Sequence, residues 1–263
     1  MKLSISNIAW LKKADPEIAS ILFDNAIRHI DVAPLLTVDS LDGSPHNFLS
    51  FWEKYNITPL GMQSLFYGRN NKFFTSESSM AETIEYFTKI TELAKKIGVT
   101  ALVFGSPKQR VVEEKSVSKK LIVHFFDQMA TICKNHEITL CLEPNAASYG
   151  TNFLNTTLET IKFIDAVNHP SLKLNFDTGT ILINGLDPTE VYRYSAEYVG
   201  HVHISAPRLK PVDVEMFDHK KLRNLLLADQ YNDGITIEML TEEHGRNKNI
   251  LKALKILKIY GEK

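Results

Sequence analysis

Eight times along this 263-residue chain, a short stretch of strand character is followed by a longer stretch of helical character. The strand candidates are 2–8, 28–33, 57–63, 100–104, 138–143, 171–177, 199–204 and 234–239. The helical candidates are 15–27, 45–55, 79–97, 116–135, 156–168, 187–196, 218–228 and 244–260. The third helix has the clearest period, with Met80, Ile84, Phe87, Ile90, Leu93, Ala94 and Ile97 at three- and four-residue spacing and Gly98 at its end. Strands alternating with helices pair in parallel, with the helices as crossovers. Eight such units in a chain of this length predict a closed (β/α)₈ TIM barrel. A doubly wound open sheet competes, but its strands are buried on both faces and read as continuously apolar. No linker rich in Pro, Gly or Ser divides the chain, so one barrel domain over 1–263 is expected.

The second half carries the chemistry. Four strands read ITLCLEPN from 138, LKLNFDTG from 172, GHVHISAP from 200 and GITIEMLT from 234. Leu140 and Leu142, Leu174 and Phe176, Val202 and Ile204, and Ile235 and Ile237 fall on one face. The other face holds Cys141 and Glu143, Asn175 and Asp177, His201 and His203, and Thr236 and Glu238. Side chains alternate along a strand, so this pattern buries an apolar face and collects Glu143, Asp177, His203 and Glu238 at the C-terminal rim, where barrels of this kind keep their active sites. A lone strand-terminal Asp is commonly a helix cap. Four ligating residues in consecutive units and in phase form a candidate metal-binding set. Cys141, Asn175, His201 and Thr236 lie one layer deeper. Cys141 and Thr236 read as lumen filling, and His201 as a hydrogen-bonded core histidine more readily than a second ligand.

Composition narrows the field. Formal net charge is -1, without a dense Lys/Arg block, so nucleic acid is not an expected partner. Cys133 and Cys141 are too few for a disulfide scaffold. The first residues lack the apolar run of a signal peptide, and no stretch reaches membrane-spanning length, so a cytoplasmic protein that does not engage membranes is expected.

On these residues the chain resembles the xylose isomerase-like family of TIM barrels, which groups sugar isomerases and epimerases, inosose dehydratases and endonuclease IV. The matching pieces are LEP at 142–144, FDTG at 176–179, HVHIS at 201–205 and TIEM at 236–239. IDVAP at 30–34, MQSLFYGR at 62–69, FGSPKQR at 104–110 and EPN…YGTNF from 143 to 153 resemble its sugar-phosphate isomerase/epimerase-like branch. The resemblance implies one divalent cation (Mn²⁺, Mg²⁺ or Co²⁺, with Zn²⁺ also open) held by Glu143, Asp177, His203 and Glu238. It also implies Glu143 and Glu238 as the catalytic acid and base of an isomerase or epimerase working through a metal-stabilised enediolate. A small sugar or polyol is the expected partner, and a homo-oligomer stays open. Arg208, Gln63, Ser106, Lys108 and Tyr149 are substrate-binding candidates, and Trp10, Phe66 and Tyr67 candidate pocket walls. The chain departs from the family pattern at Thr180, where many members carry His, at Ala206, commonly Glu, and in the neutral stretch Ala147–Tyr149. These departures set its substrate shell apart from that of familiar ketose epimerases. An inosose-type dehydratase is the alternative on the same residues. An endonuclease IV-like phosphodiesterase lacks the extra histidines and basic surface it needs, and a non-catalytic barrel would need neither glutamate placed as a base.

Overall fold

The computed structural model describes residues 1–38, 40–113 and 117–262. Eight parallel strands close into a barrel in sequence order: β1 (Lys2–Ser6), β2 (His29–Val32), β3 (Thr58–Met62), β4 (Ala101–Phe104), β5 (Thr139–Leu142), β6 (Leu172–Asp177), β7 (Val199–Ser205) and β8 (Gly234–Glu238). The ring closes where β1 meets β8, with Leu3 opposite Ile235 and Ile5 opposite Ile237. The expected TIM barrel is the observed one.

Among the described residues ten α-helices surround the barrel: α1 (Asp15–Asp24), α2 (Pro34–Thr37), α3 (His46–Glu53), α4 (Glu77–Ile97), α5 (Lys119–Asn135), α6 (Thr157–Val167), α7 (Thr178–Ile183), α8 (Pro188–Ser195), α9 (His219–Ala228) and α10 (Arg246–Gly261). The eight expected helices are present within a few residues of their expected ends. Ser116, where the fifth was expected to start, lies outside the described residues. The capping chemistry explains the boundaries. Ser76 and Ser79 form a reciprocal capping box at the start of α4, and Gly98 ends it in the left-handed conformation, φ 80°. Two short helices, α2 and α7, were not legible, being too short for an amphipathic period to develop.

The core lies between strands and helices. The apolar faces of β5 to β8 (Leu140, Leu142, Leu174, Phe176, Val202, Ile204, Ile235, Ile237) are all buried there. Under β4, α4 and α5, a connected group of phenylalanines (Phe66, Phe73, Phe74, Phe104, Phe125, Phe126, Phe153, Phe163) meets largely edge to face. The lumen is polar instead: Ser4, Asp31, Asn175, His201, His203 and Thr236 are each at most 1% exposed. Among the described residues no helix is long and apolar enough to cross a membrane.

Candidate metal centre

Strand register sets the level of each functional side chain. Asp177 pairs in register with His203, and Ser205 with Glu238, so β6, β7 and β8 end together at one rim. Glu143 follows the last residue of β5, and its N–H still extends the ladder by donating to the Phe104 carbonyl at 3.0 Å. The four side chains converge: each of Glu143, Asp177, His203 and Glu238 offers a ligating atom, and these atoms all lie within 4.8 Å of one another. Exposure does not exceed 9% for any of them. Gly105 makes room for this packing, since a Cβ there would stand 2.4 Å from Glu143 Oε2.

Each acid is held by donors of its own. Glu238 Oε1 accepts from the Gln63 amide at 2.5 Å. Glu143 accepts from Asn145 at Oε2 (3.1 Å) and from Asn175 at Oε1 (3.2 Å). Asp177 caps α7 through the Thr180 N–H (2.6 Å) and accepts from the Ser205 hydroxyl (2.5 Å). The strand-terminal Asp is thus a helix cap and a member of the cluster at once. Behind Glu143 lies the fully buried guanidinium of Arg110, donating to the carbonyls of Glu143 (2.8 Å) and Leu154 (3.1 Å). Burial pushes Arg110 down to about 10, with Glu143 opposing, so it stays cationic at neutral pH.

His203 stands at the centre. Its Nδ1 is 3.4 Å from Glu143 Oε1 and 3.4 Å from Glu238 Oε2, and its Nε2 is 3.7 Å from Asp31 Oδ2. These separations exceed an ordinary N–H···O bond, and among the described residues neither ring nitrogen has a hydrogen-bond partner. Asp31 belongs to a deeper layer, where it takes His201 Nε2 at 2.7 Å, the Ser4 hydroxyl at 2.9 Å and the Gly61 N–H at 3.0 Å. Thr236 reaches the same His201 nitrogen at 3.2 Å.

The electrostatics follow from crowding charge in a dry place. Burial, then the charges of Glu143 and Glu238, push Asp177 up to about 7. Burial also resists ionisation of Glu143, but His203, Asn145 and Arg110 outweigh it and hold the carboxyl below its usual range. Desolvation opposes charging His203, yet Glu238, Asp31 and Glu143 raise it well above the ordinary imidazole range. Burial likewise opposes ionising Asp31, and His201 and His203 override it and hold the acid far below the usual carboxylate range.

A cavity of about 200 Å³ opens over this cluster, lined on its walls by Gln63, Ser106, Tyr149, Thr180 and Leu209. Of the substrate-binding candidates, Gln63, Ser106 and Tyr149 line it. Lys108 lines an adjoining groove instead. The Arg208 side chain is absent from the lining; the residue adopts a left-handed backbone (φ 61°) and meets the site through its N–H, which donates to the Tyr149 hydroxyl at 2.8 Å. Two expected aromatic walls belong to the core: Trp10 packs beside Trp52 and donates to Asp15, and Phe66 sits among Phe73 and Phe104. Tyr67 is 74% exposed at the groove. The sequence reading missed Asn145, Ser205 and the central place of Asp31. The one available signal for Asp31 was an acid between Ile30 and Val32 in a strand.

Comparison with known proteins follows the same outline. Residues 36–260 match the family model described as xylose isomerase-like TIM barrel. Among solved structures, D-psicose 3-epimerase from Clostridium cellulolyticum H10 superposes with TM-score 0.78 at 16% identity, over 99% of this chain and 98% of that one. D-allulose 3-epimerase from Methylomonas sp. gives 0.79 at 19%, over 98% and 96%. The 3-keto-D-glucoside 4-epimerase from E. coli gives 0.75 at 13%, over 97% and 99%. No curated protein matches the chain by sequence.

Proposed function

Because this chain belongs to the xylose isomerase-like TIM barrel family, we propose that it is a divalent-metal-dependent isomerase or epimerase of a sugar or sugar phosphate, with Glu143 and Glu238 moving the proton. One observation carries the reading. Two buried glutamates from β5 and β8 each turn one oxygen toward His203, and each has its other oxygen held by a side-chain amide. The named epimerases that share the fold support the reaction class.

The donor set fits a cation. Three carboxylates and an imidazole each offer a ligating atom within 4.8 Å of the others, and among the described residues both His203 nitrogens lack hydrogen-bond partners. Mostly oxygen donors with one nitrogen suit Mn²⁺, Mg²⁺ or Co²⁺, and Zn²⁺ is also accommodated. Held by Glu143, Asp177, His203 and Glu238, the ion would act as a Lewis acid on a substrate carbonyl and so acidify the neighbouring C–H.

The chain's own groups supply the rest. Amide donors fix the orientation of Glu143 and Glu238, which suits a proton-transfer pair. Gln63 and Asn145 are then positioning residues for the proton-transfer pair. Glu143 and Glu238 arrive from strands three apart around the ring, an arrangement that supports approach to a sugar from two sides. A proton taken by one and returned by the other on the opposite face inverts a stereocentre; a single group doing both jobs moves the carbonyl.

The test is hydrogen–deuterium exchange into ketoses and aldoses incubated with the Mn²⁺-loaded protein in heavy water. Exchange at the carbon beside the carbonyl is expected, without change in the mass of the carbon skeleton. Glu143→Gln and Glu238→Gln are each expected to reduce it by about 10²–10⁴-fold with far-UV circular dichroism unchanged. Near-normal exchange in either variant contradicts the assignment, and loss of one water from the product would point to a dehydratase.

A further inference from the structure

The cavity over the metal cluster contains three buried carboxylates and no cationic side chain in its lining. Across a rim formed by Ser64, Ser106 and Pro107, the surface falls into a second cavity of about 440 Å³ with the opposite character. That groove is lined by Arg69, Lys72 and Lys108, together with Asn70 and Gln109, and, among the described residues, by no carboxylate. Lys72 is engaged by Glu113 at 2.7 Å. Arg69 and Lys108 have no carboxylate partner among the described residues.

The groove is built rather than incidental. Its walls are the loops after β3 and β4, and Gln109 ties them together. The Gln109 side-chain amide donates to the carbonyls of Phe66 (3.2 Å) and Arg69 (2.9 Å), and the Gln109 main-chain carbonyl accepts from the Phe73 N–H at 2.8 Å. Arg69 is set in place by stacking 4.1 Å from the centre of the Tyr86 ring and by Nε reaching Asn71 at 3.4 Å. The Lys108 stem passes beside Gly150, next to Tyr149 of the cavity wall. Both rim serines, Ser64 and Ser106, hold left-handed backbone angles (φ 54° and 53°), a strained choice for a non-glycine residue that persists where surrounding contacts enforce it.

A substrate lying across that rim meets three carboxylates at one end and a guanidinium with an ammonium at the other. An anionic group in the first cavity would sit among three carboxylates and compete with the substrate carbonyl for the cation they would hold. In the groove it would meet Arg69, whose planar fork matches phosphate oxygens, and Lys108 as a point charge. We infer that the substrate is a phosphate monoester, with its carbonyl end over the metal cluster and its phosphate in the Arg69–Lys108 groove. The inference rests on the isomerase/epimerase reading for the cavity, and it adds the chemical class of the substrate.

Isothermal titration of the Mg²⁺-loaded full chain at low ionic strength tests it, with inorganic phosphate, fructose 6-phosphate, fructose and gluconate as probes. The wild-type protein is expected to bind fructose 6-phosphate about tenfold or more tightly than fructose, and to bind inorganic phosphate. The double variant Arg69→Ala/Lys108→Ala is expected to lose both the phosphate binding and the advantage of the phosphorylated sugar. Its affinity for fructose and for Mg²⁺, and its thermal midpoint, are expected to stay unchanged. Equal affinity for the two sugars, an advantage that survives the double substitution, or no phosphate binding at millimolar concentration overturns the inference. Tighter binding of gluconate than of fructose 6-phosphate overturns it in favour of a carboxylate. Phosphate binding abolished by the double substitution, with no solvent exchange into any sugar, upholds the groove and overturns the chemistry proposed for the cavity.

Discussion

Asp31 is a fully buried carboxylate with donors on several sides: the Ser4 hydroxyl, the Gly61 N–H and the His201 imidazole, with His203 Nε2 at 3.7 Å. Gly61 is required by that approach, because a Cβ on it would stand 2.4 Å from Asp31 Oδ2. Ligating histidines are commonly oriented by a carboxylate on the nitrogen away from the ion; for the ligand role proposed for His203, Asp31 is the carboxylate facing that nitrogen, at 3.7 Å. Asp31→Asn keeps the size and an acceptor for Ser4 and Gly61 but removes the charge facing both rings. The expected outcome is a fall in Mn²⁺ affinity of about 10–100-fold, read by metal titration, with the barrel still folded. An unchanged affinity would reduce Asp31 to lumen filling. At this scale Glu143, Asp177, His203 and Glu238 were legible, because each sits in phase at a strand end. Asp31 was not, because an isolated acid in a four-residue strand has no local pattern to distinguish it from a solvent-facing one.

At the level of elements, the short helix α7 shows how the rim is organised. Asp177 ends β6 and starts α7, so the turn that redirects the chain also aims a carboxylate into the cluster, and Ser205 at the end of β7 holds its other oxygen. A second junction lies on the outside, between α9 and α10. There His219 Nδ1 meets the Tyr260 hydroxyl at 3.0 Å, and its ring lies 4.1 Å from Phe217. Burial pushes His219 below its ordinary 6.5, with the Asp213 carbonyl and the Asp218 charge opposing. The folded chain therefore keeps this imidazole neutral, whereas the unfolded chain protonates it below 6.5. Its contribution to stability is complete above that pH and is lost as pH falls through it. Asp177 and His203, both raised, favour folding toward the acid side, so His219 is read by difference: between about pH 7 and 5 the denaturant midpoint of His219→Gln should gain on that of the wild type. A difference that stays constant across that range would remove His219 from the pH dependence.

For the whole molecule, the cluster is a product of closure. Positions 143, 177, 203 and 238 are separated by 34, 26 and 35 residues and come from four consecutive βα units. In an unfolded chain they do not form a site, so an ion bound by all four is bound by the folded state alone. At a hundredfold excess over its dissociation constant, such an ion stabilises by about 2.7 kcal/mol, which for a chain of this size is a rise of roughly 5–10 °C in thermal midpoint. The rise should appear with Mn²⁺, reverse with a chelator, and be absent in Asp177→Ala. A chelator-treated protein that melts no lower than the Mn²⁺-loaded one would show that the four side chains do not share an ion.

Alternation by itself determined the barrel, the buried faces of β5 to β8 and the four rim residues, since burial on one side of a strand imposes a period of two that survives in the sequence. Tertiary structure alone decided which lumen groups meet: Gln63 with Glu238 across 175 positions, His201 with Asp31 across 170, and Lys108 in a groove beside the cavity rather than within it. Those pairings depend on the register in which eight strands close into a ring, a property of the whole sheet that no local stretch of residues encodes.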